Sequence, residues 1–269
     1  MELERNSVVM REQTVPPAAN QEPRPWSEPL RWLFVPWTLG VTYPLILVTT
    51  TFWGFMAIAL SAVSQRVGFF AGVVWAWCLA WVTWVRVRVE DRQHARPGQS
   101  YVIMCNHQGA YDILALYGFL GREFRWVIKQ ELRKVPFLGW GCAAIGHIFV
   151  DRRNSTRAIA ALEAAKPRLV GGISVLFFPE GTRSADGQLL PFKKGGFIMA
   201  RQLALPILPI SISGSHRVLP KGRLLPRPGT IDVRFHPPID PAASASLEEL
   251  MAATRAVIAS GLSADERGT

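Results

Sequence analysis

The sequence predicts an α/β protein with a mixed, mostly parallel sheet flanked by helices, preceded by an N-terminal membrane-associated two-helix hairpin. Two observations support this fold class. Residues 32–85 carry almost no charged side chains, whereas short apolar segments alternate with amphipathic ones from residue 86 onward. Such alternation is typical of a sheet covered by helices. Residues 1–31 are polar and proline-rich, as in a disordered tail. We therefore expect a tail over 1–31, a hydrophobic hairpin for membrane attachment over 32–85, and one domain over 86–269.

The first half of the hairpin is too long for a single straight crossing of a bilayer. Residues 32–65 contain no formally charged side chain. As a helix they would reach ~51 Å, against a hydrocarbon core of ~30 Å. Pro36, Gly40 and Pro44 offer a solution, because they favour an irregular entry. The pattern then predicts a helix from about Tyr43 to Ala62.

The second half of the hairpin is marked by tryptophan. Residues 67–85 are uncharged, and Trp77, Trp81 and Trp84 recur at i, i+4 and i+7. Tryptophan prefers the bilayer interface to its centre. The stripe therefore fits a hairpin that lies in one leaflet or packs on the following domain, and it equally permits two spanning helices with both chain ends in the cytoplasm.

The positive charge of the chain follows the hairpin. Residues 1–85 hold five arginines and five glutamates, so the whole net charge of +10 belongs to residues 86–269, with 25 basic against 15 acidic side chains. A basic domain beside an apolar anchor suits an anionic membrane face or phosphate-bearing ligands, and predicts membrane attachment with this domain on the cytoplasmic side. Nucleic acid is not expected as a partner, because the basic residues are not interleaved with aromatic ones. The three cysteines lack metal-ligand spacing, so no metal site is predicted.

Seven strands and six helices are predicted after the hairpin. The strands are 86–90, 101–105, 124–128, 147–150, 173–178, 206–212 and 230–236. The helices are 109–120, 130–134, 137–145, 154–169, 194–203 and 246–260.

The first candidate site residues follow the strand that ends at Cys105, in the segment NHQGAYD. Ligand crevices in open α/β sheets form beyond the carboxyl ends of strands. Histidine is the side chain best suited to accept a proton near neutral pH, and an aspartate about one turn away can fix its tautomer. His107 and Asp112 thus form the histidine–aspartate half of a catalytic triad, for which a substrate hydroxyl can supply the nucleophile. A single pair of this kind also occurs as a purely structural feature.

A second polar cluster, FPEGTRS, follows the strand at 173–178. Arg183 offers a guanidinium fork for a phosphate, and Thr182 can add a hydroxyl. Lys193 lies shortly before a helix whose N-terminus favours anions. A third basic turn, containing Arg152, closes the strand at 147–150. Three cationic clusters at strand ends beside a histidine–aspartate pair predict a site for a phosphate-bearing ligand.

These segments together resemble the 1-acylglycerol-3-phosphate (lysophosphatidic acid) acyltransferase family over roughly residues 101–212. The family's four sequence blocks occur in order. They are NHxxxxD at 106–112, an FxDR-like block at 149–152, FPEGTRS at 178–184 and a proline-bracketed apolar strand at 205–210. One block alone is weak, but the ordered set is specific.

The resemblance implies roles for the residues that match. His107 would be the general base and Asp112 its orienting partner. The substrate-binding residues would be Asn106, Phe149, Arg152, Glu180, Gly181, Thr182, Arg183 and Lys193. The resemblance implies transfer of a fatty acyl group from acyl-CoA or acyl-carrier protein to the free hydroxyl of 1-acyl-glycerol-3-phosphate, giving phosphatidic acid in phospholipid synthesis. No cofactor is expected, because a thioester is already activated.

Two alternatives stay open at the level of sequence. The acceptor can be another lysolipid, since the blocks specify the reaction better than the head group. The chain can also be a non-enzymatic basic protein that binds membrane surfaces.

Overall fold

The computed structural model describes residues 36–151, 160–161, 163–169, 171–223 and 225–268. The predicted tail at 1–31, the site residue Arg152 and much of the predicted helix at 154–169 lie outside the described residues.

The hairpin begins with a short π-helix, Thr38–Thr42, that runs directly into α1, Tyr43–Ser61. A turn leads to α2, Gln65–Val82, where the Ser64 hydroxyl accepts a hydrogen bond of 3.1 Å from the N–H of Val67 and so caps the helix. The predicted helix from about Tyr43 to Ala62 is therefore present, and the second helix begins and ends slightly earlier than the uncharged stretch. Both helices are long and apolar enough to cross a membrane.

All seven predicted strands are present. They are β1 Val85–Glu90, β2 Val102–Cys105, β3 Phe124–Lys129, β4 Ile148–Val150, β5 Ser174–Phe177, β6 Ile207–Ser213 and β7 Gly229–Phe235. They form one sheet in the order β1-β7-β6-β2-β5-β3-β4. Among the six strand pairs in the described part of the chain, only β6–β7 is antiparallel. The sheet is therefore mixed and mostly parallel, as predicted.

The helices after the hairpin also follow the sequence pattern. Those whose bounds lie within the described residues are α3 Tyr111–Phe119, α4 Leu138–Ile145, α5 Gly195–Leu203, the short α6 Ser215–Val218 and α7 Leu247–Ser260. The predicted helix at 130–134 is a 3₁₀ turn, Gln130–Lys134. The predicted segment at 109–120 begins two residues later, because the residues before Tyr111 form the turn that carries the candidate site.

The sheet is buried on both faces. On strand β2, Ile103 and Cys105 belong to the core shared with α2 and α3, whereas Val102 and Met104 belong to the core shared with α5 and α7. This alternation is the two-residue period of a strand. Because helices cover both faces, the open positions are at the strand ends, and β2 and β5 both end at the same edge.

The two hairpin helices differ in what they bury. Helix α1 buries only Ala57, whereas α2 buries six residues and contributes Phe69 and Leu79 to the core beneath the sheet. The hairpin leaves many large apolar side chains exposed; this exposed set is called the outer apolar face below. It comprises Trp37, Leu39, Leu45, Leu47, Val48, Phe52, Phe55, Val63, Val67, Phe70, Trp77 and Trp81. An apolar surface of this extent marks an interaction with lipid or protein.

Candidate active site

The turn after β2 places an imidazole against a buried carboxylate. His107 Nδ1 lies 2.7 Å from Asp112 Oδ2, and Asp112 is fully buried in the first turn of α3. The same oxygen accepts hydrogen bonds from the backbone N–H groups of Gln108 (2.7 Å) and Gly109 (2.9 Å). Because the carboxylate accepts, Nδ1 carries the proton and Nε2 presents its lone pair. The His107 side chain keeps 14% of its exposure, so the pair is enclosed but reachable.

Asn106, one residue earlier, joins β2 to its neighbour. Its side-chain amide donates to the carbonyl of Ile212 on β6, and its oxygen accepts from the N–H of Ile212, both at 2.7 Å. The residue is fully buried. Asn106 was predicted as a substrate-binding residue, but both polar ends of its side chain already have backbone partners. This placement favours a role in fixing the turn that carries His107.

Glu180 supports His107 from behind. Glu180 Oε1 accepts from the N–H of His107 at 2.6 Å, and Oε2 accepts from the N–H of Leu190 at 3.1 Å. Burial raises the pKa of Glu180 to about 8, although the two N–H donors favour its ionised form and the nearby Asp112 adds to the rise. Glu180 was predicted to contact the substrate. Its two bonds to backbone N–H groups also fit a second role, in which this carboxyl positions the turn that carries His107.

The FPEGTRS segment also holds the imidazole through its ring and backbone. The Phe178 ring stacks on His107 with centroids 3.8 Å apart and planes within 6°. The N–H of Ser184 donates to the carbonyl of His107 at 2.8 Å. Two sequence blocks that begin 72 residues apart, at Asn106 and Phe178, thus form one turn pair at the carboxyl ends of β2 and β5.

Gly181, Thr182, Arg183 and Lys193 lie together at this edge. The Lys193 N–H donates to Pro179 O at 2.8 Å, and its side chain runs over Gly181. Gly181 has φ +72°, a backbone conformation that favours glycine, and the Lys193 Nζ lies 2.9 Å from where a Cβ would be. Thr182 and Lys193 are exposed, and Arg183 is half-buried. The structure therefore gathers these four predicted residues on one side of the turn pair.

The second sequence block is placed apart from the others. Phe149 lies on β4, the edge strand, three positions from β2 in the sheet, or roughly 14 Å at the usual strand spacing. Its ring contacts Arg133, whose guanidinium carbon is 5.7 Å from the ring centroid. Arg152 lies outside the described residues. Phe149 therefore has no contact with His107 through the sheet itself.

Two lysines at this edge were not singled out from the sequence. Lys129 ends β3, next to β5, and its ammonium pairs with Glu131 at 3.1 Å. Lys221 lies in the connection between β6 and β7, and its ammonium donates to the Thr182 hydroxyl at 3.3 Å and to Arg183 O at 3.1 Å. The position of Lys129 at a strand end was a usable signal. Nothing local in the sequence indicates that Lys221 returns to the FPEGTRS turn.

Cys105, beside this turn, has no sign of reactivity. The thiol is fully buried, and burial raises its pKa well above the usual range. Among the described residues no group of three or more His, Cys, Asp or Glu could hold a metal ion. The site therefore contains an oriented base and a cationic loop. This combination is typical of a transferase that activates a hydroxyl group of its substrate.

Comparison with known proteins shows which family of transferases this chain resembles. The Acyltransferase family model matches residues 86–213. The 1-acyl-sn-glycerol-3-phosphate acyltransferase of Limnanthes douglasii is 32% identical over 209 residues, covering 74% of this chain and 72% of that protein. The alpha form from Mus musculus is 37% identical over 157 residues, covering 58% of this chain and 55% of that protein.

A solved structure agrees with the sequence relatives. The crystal structure of the 1-acyl-sn-glycerophosphate acyltransferase from Thermotoga maritima superposes with a TM-score of 0.73 at 29% identity, over 85% of this chain and 94% of that one. The chain belongs to the 1-acylglycerol-3-phosphate acyltransferase family and is an enzyme of that type. The alternative of a non-enzymatic membrane-surface protein is therefore wrong.

Proposed function

We propose that this enzyme transfers a fatty acyl group from a thioester to the free hydroxyl of 1-acyl-glycerol-3-phosphate, forming phosphatidic acid. The observation that carries the proposal is the 2.7 Å contact between His107 Nδ1 and Asp112 Oδ2, with two further N–H donors on the same oxygen. These contacts hold the ring in one orientation and one tautomer, so that Nε2 serves as the base.

The reaction uses the imidazole twice. Nε2 takes the proton of the acceptor hydroxyl as its oxygen attacks the thioester carbonyl carbon, forming a new C–O bond and a tetrahedral intermediate. The C–S bond then breaks, and the imidazolium returns the proton to the leaving thiolate. The Asp112 carboxylate stabilises the transient imidazolium. This balance needs no metal or prosthetic group, since the thioester supplies the activated carbonyl.

The cationic side of the turn pair serves the acceptor. Arg183 and Lys193 carry positive charge on or beside the turn that packs against His107, and a phosphate is the group that the guanidinium fork of Arg183 recognises. Both acyl-CoA and acyl-carrier protein provide the thioester that the chemistry requires. The acceptor named in the relatives, 1-acyl-sn-glycerol-3-phosphate, is the one that we assign to this chain.

A lysolipid panel tests the assignment. The purified enzyme is supplied with acyl-CoA or acyl-carrier protein and with lysolipids that differ only in the head group, and thiol release is measured. We expect release with 1-acyl-glycerol-3-phosphate to exceed release with any diester lysolipid. Preferential release with an amino-acid-linked or sugar-linked lysolipid would assign the acceptor to the alternative class instead.

The hairpin attaches the enzyme to the cytoplasmic face of the membrane. A lysolipid acceptor resides in the bilayer, whereas the thioester donor is made in the cytoplasm, so the site has to operate at their boundary. The outer apolar face supports this attachment, and the seating of α2 on the domain core favours a hairpin held in one leaflet over two spanning helices.

High-salt washing separates electrostatic attachment of the basic domain from apolar attachment of the hairpin. Attraction of the basic domain to anionic lipid weakens with ionic strength, whereas burial of apolar surface does not. The full-length protein should stay with membranes in high salt. Deletion of residues 1–85 would also remove the core residues Phe69 and Leu79, so the salt wash of the intact chain is the cleaner test of the anchor. Release of the full-length protein by salt alone would show that the hairpin is no anchor.

A further inference from the structure

Lys221 lies in a hydrogen-bonded turn. The N–H of Arg223 donates to Pro220 O at 3.2 Å and closes the turn that carries Lys221. From this position the ammonium reaches the Thr182 hydroxyl and the Arg183 carbonyl, at 3.3 and 3.1 Å. Both partners belong to the FPEGTRS turn, although Lys221 lies outside all four sequence blocks.

The segment that carries this turn also packs directly on the catalytic turn. A Cβ at Gly109 would lie 2.8 Å from Ser215 O and 3.1 Å from Leu219 O. Gly109 is two residues from His107, and Leu219 is two residues from Lys221. The close backbone approach therefore fixes the distance between the base and the Lys221 turn, so that a ligand held by one has a defined position relative to the other.

Three basic side chains belong to the FPEGTRS turn or lie next to it, namely Arg183, Lys193 and Lys221. Among the described residues, no Asp or Glu pairs with Arg183, Lys193 or Lys221. The nearest acid along the loop, Asp186, instead accepts from Ser184 Oγ at 2.8 Å and from Gln188 N at 3.0 Å.

Neighbouring cations are treated differently. Lys194 pairs with Glu248 at 2.7 Å, and Arg217 pairs with Asp265 at 3.0 Å. Positive side chains that lack a carboxylate partner favour the binding of an anion nearby, and they favour an anion of charge −2 more than one of −1.

We propose that Lys221, with Arg183 and Lys193, forms a cradle for a phosphomonoester dianion, and so selects an acceptor whose phosphate carries no further head group. The inference rests on the proposed function and deepens it, because it names the feature of the acceptor that the site reads. A phosphodiester lysolipid has one negative charge fewer and a substituent where the third cation would bind. Coenzyme A also carries a phosphomonoester, so the test separates the two ligands.

Binding without turnover tests the cradle independently of the reaction. The full-length enzyme in mixed micelles, with no acyl donor, is titrated with 1-acyl-glycerol-3-phosphate, with lysophosphatidylglycerol, and with free coenzyme A. Lys221→Met removes the ammonium and keeps the stem, and Lys221→Arg keeps the charge. Arg223→Met is the matched control, because it removes one exposed charge from the same turn.

We expect Lys221→Met to raise the Kd for the monoester lysolipid about tenfold, the size of one lost hydrogen bond to a charged group. Its Kd for the diester should change by less than about twofold, as should both values in Arg223→Met. Lys221→Arg should stay close to the wild type for the monoester.

Several outcomes would overturn the inference. The first is that the wild type binds the monoester and the diester lysolipid equally. The second is that Lys221→Met and Arg223→Met lose the same affinity for the monoester. The third is that Lys221→Met loses affinity for coenzyme A alone. A different result separates this inference from the proposed function. If the enzyme binds the monoester lysolipid as expected but transfers no acyl group to that lysolipid, the proposed function is wrong and the inference about Lys221 is supported.

Discussion

His107 and His147 are both largely enclosed by protein, yet their partners prepare them for opposite tasks. His107 faces a carboxylate, which stabilises the ring when it gains a proton. His147 Nδ1 accepts from the N–H of Trp126 at 3.0 Å, so its Nε2 carries the proton and donates to the Tyr117 hydroxyl at 2.6 Å. Burial, with a smaller effect of Arg125, lowers the pKa of His147 to about 3. Its ring therefore stays neutral and serves as a fixed link inside the core. The hydrogen-bond partner of each ring, more than its degree of burial, decides whether the histidine acts as a general base or as a structural residue of the core.

The largest expected difference between the two histidines is in the rate of acyl transfer. His107→Ala should reduce kcat by ~10²–10⁴-fold, because the acceptor hydroxyl loses its base. Membrane attachment and the free energy of unfolding should change little. The measurement is thiol release under saturating substrates. Near wild-type turnover in this variant would remove His107 from the reaction.

The corresponding change at His147 should appear in stability instead. His147→Ala leaves the Trp126 N–H and the Tyr117 hydroxyl without partners in the core, and each unsatisfied buried group costs about 1–3 kcal/mol. His147→Asn should recover part of this loss, because its side-chain oxygen can accept from Trp126. Urea unfolding in micelles measures the loss, and kcat per folded molecule serves as the control. A kcat that falls as steeply as in His107→Ala would contradict the distinction.

A smaller effect should separate wild type from His147→Asn as the pH falls. The unfolded chain takes up a proton at histidine's ordinary pKa of 6.5, whereas folded His147 takes one up only near 3. The stability that His147 contributes is thus complete above 6.5 and is lost as the pH falls toward 3. Between pH 6.5 and 5 the wild type should lose about 1.6 kcal/mol relative to His147→Asn, which does not titrate. Parallel pH curves for the two proteins would mean that His147 has the same pKa in the folded and unfolded chain, and would contradict its place in the core as a neutral ring.

Much of this fold was readable from the sequence because its signals are local. Strand–helix alternation predicted all seven strands, and proline near Tyr43 predicted where the first long helix begins. Parallel strands also bring their carboxyl ends to one edge, so the sequence predicted that His107 and the Arg183 turn lie at the same edge of the sheet.

What could not be read depends on long-range packing. Glu180 and Asn106 stay predicted substrate-binding residues, but the bonds that their side chains make to backbone groups of other segments follow from no local pattern. Phe149 lies at the edge of the sheet because β5 and β3 separate it from β2, an order that the strand sequences do not carry. The return of Lys221 to Thr182 is likewise a contact between distant segments.

A double-mutant cycle on His107 and Asp112 tests the central claim most directly. If Asp112 acts by orienting and stabilising the imidazole, its carboxylate matters only while the ring is present. Asp112→Asn alone should lower kcat by ~10²-fold or more, and the same change in His107→Ala should lower it by less than about twofold, since residues that act as a unit are strongly non-additive. Equal losses from Asp112→Asn in both backgrounds would mean that the two side chains contribute independently, and would contradict the assignment of His107 as a base held by Asp112.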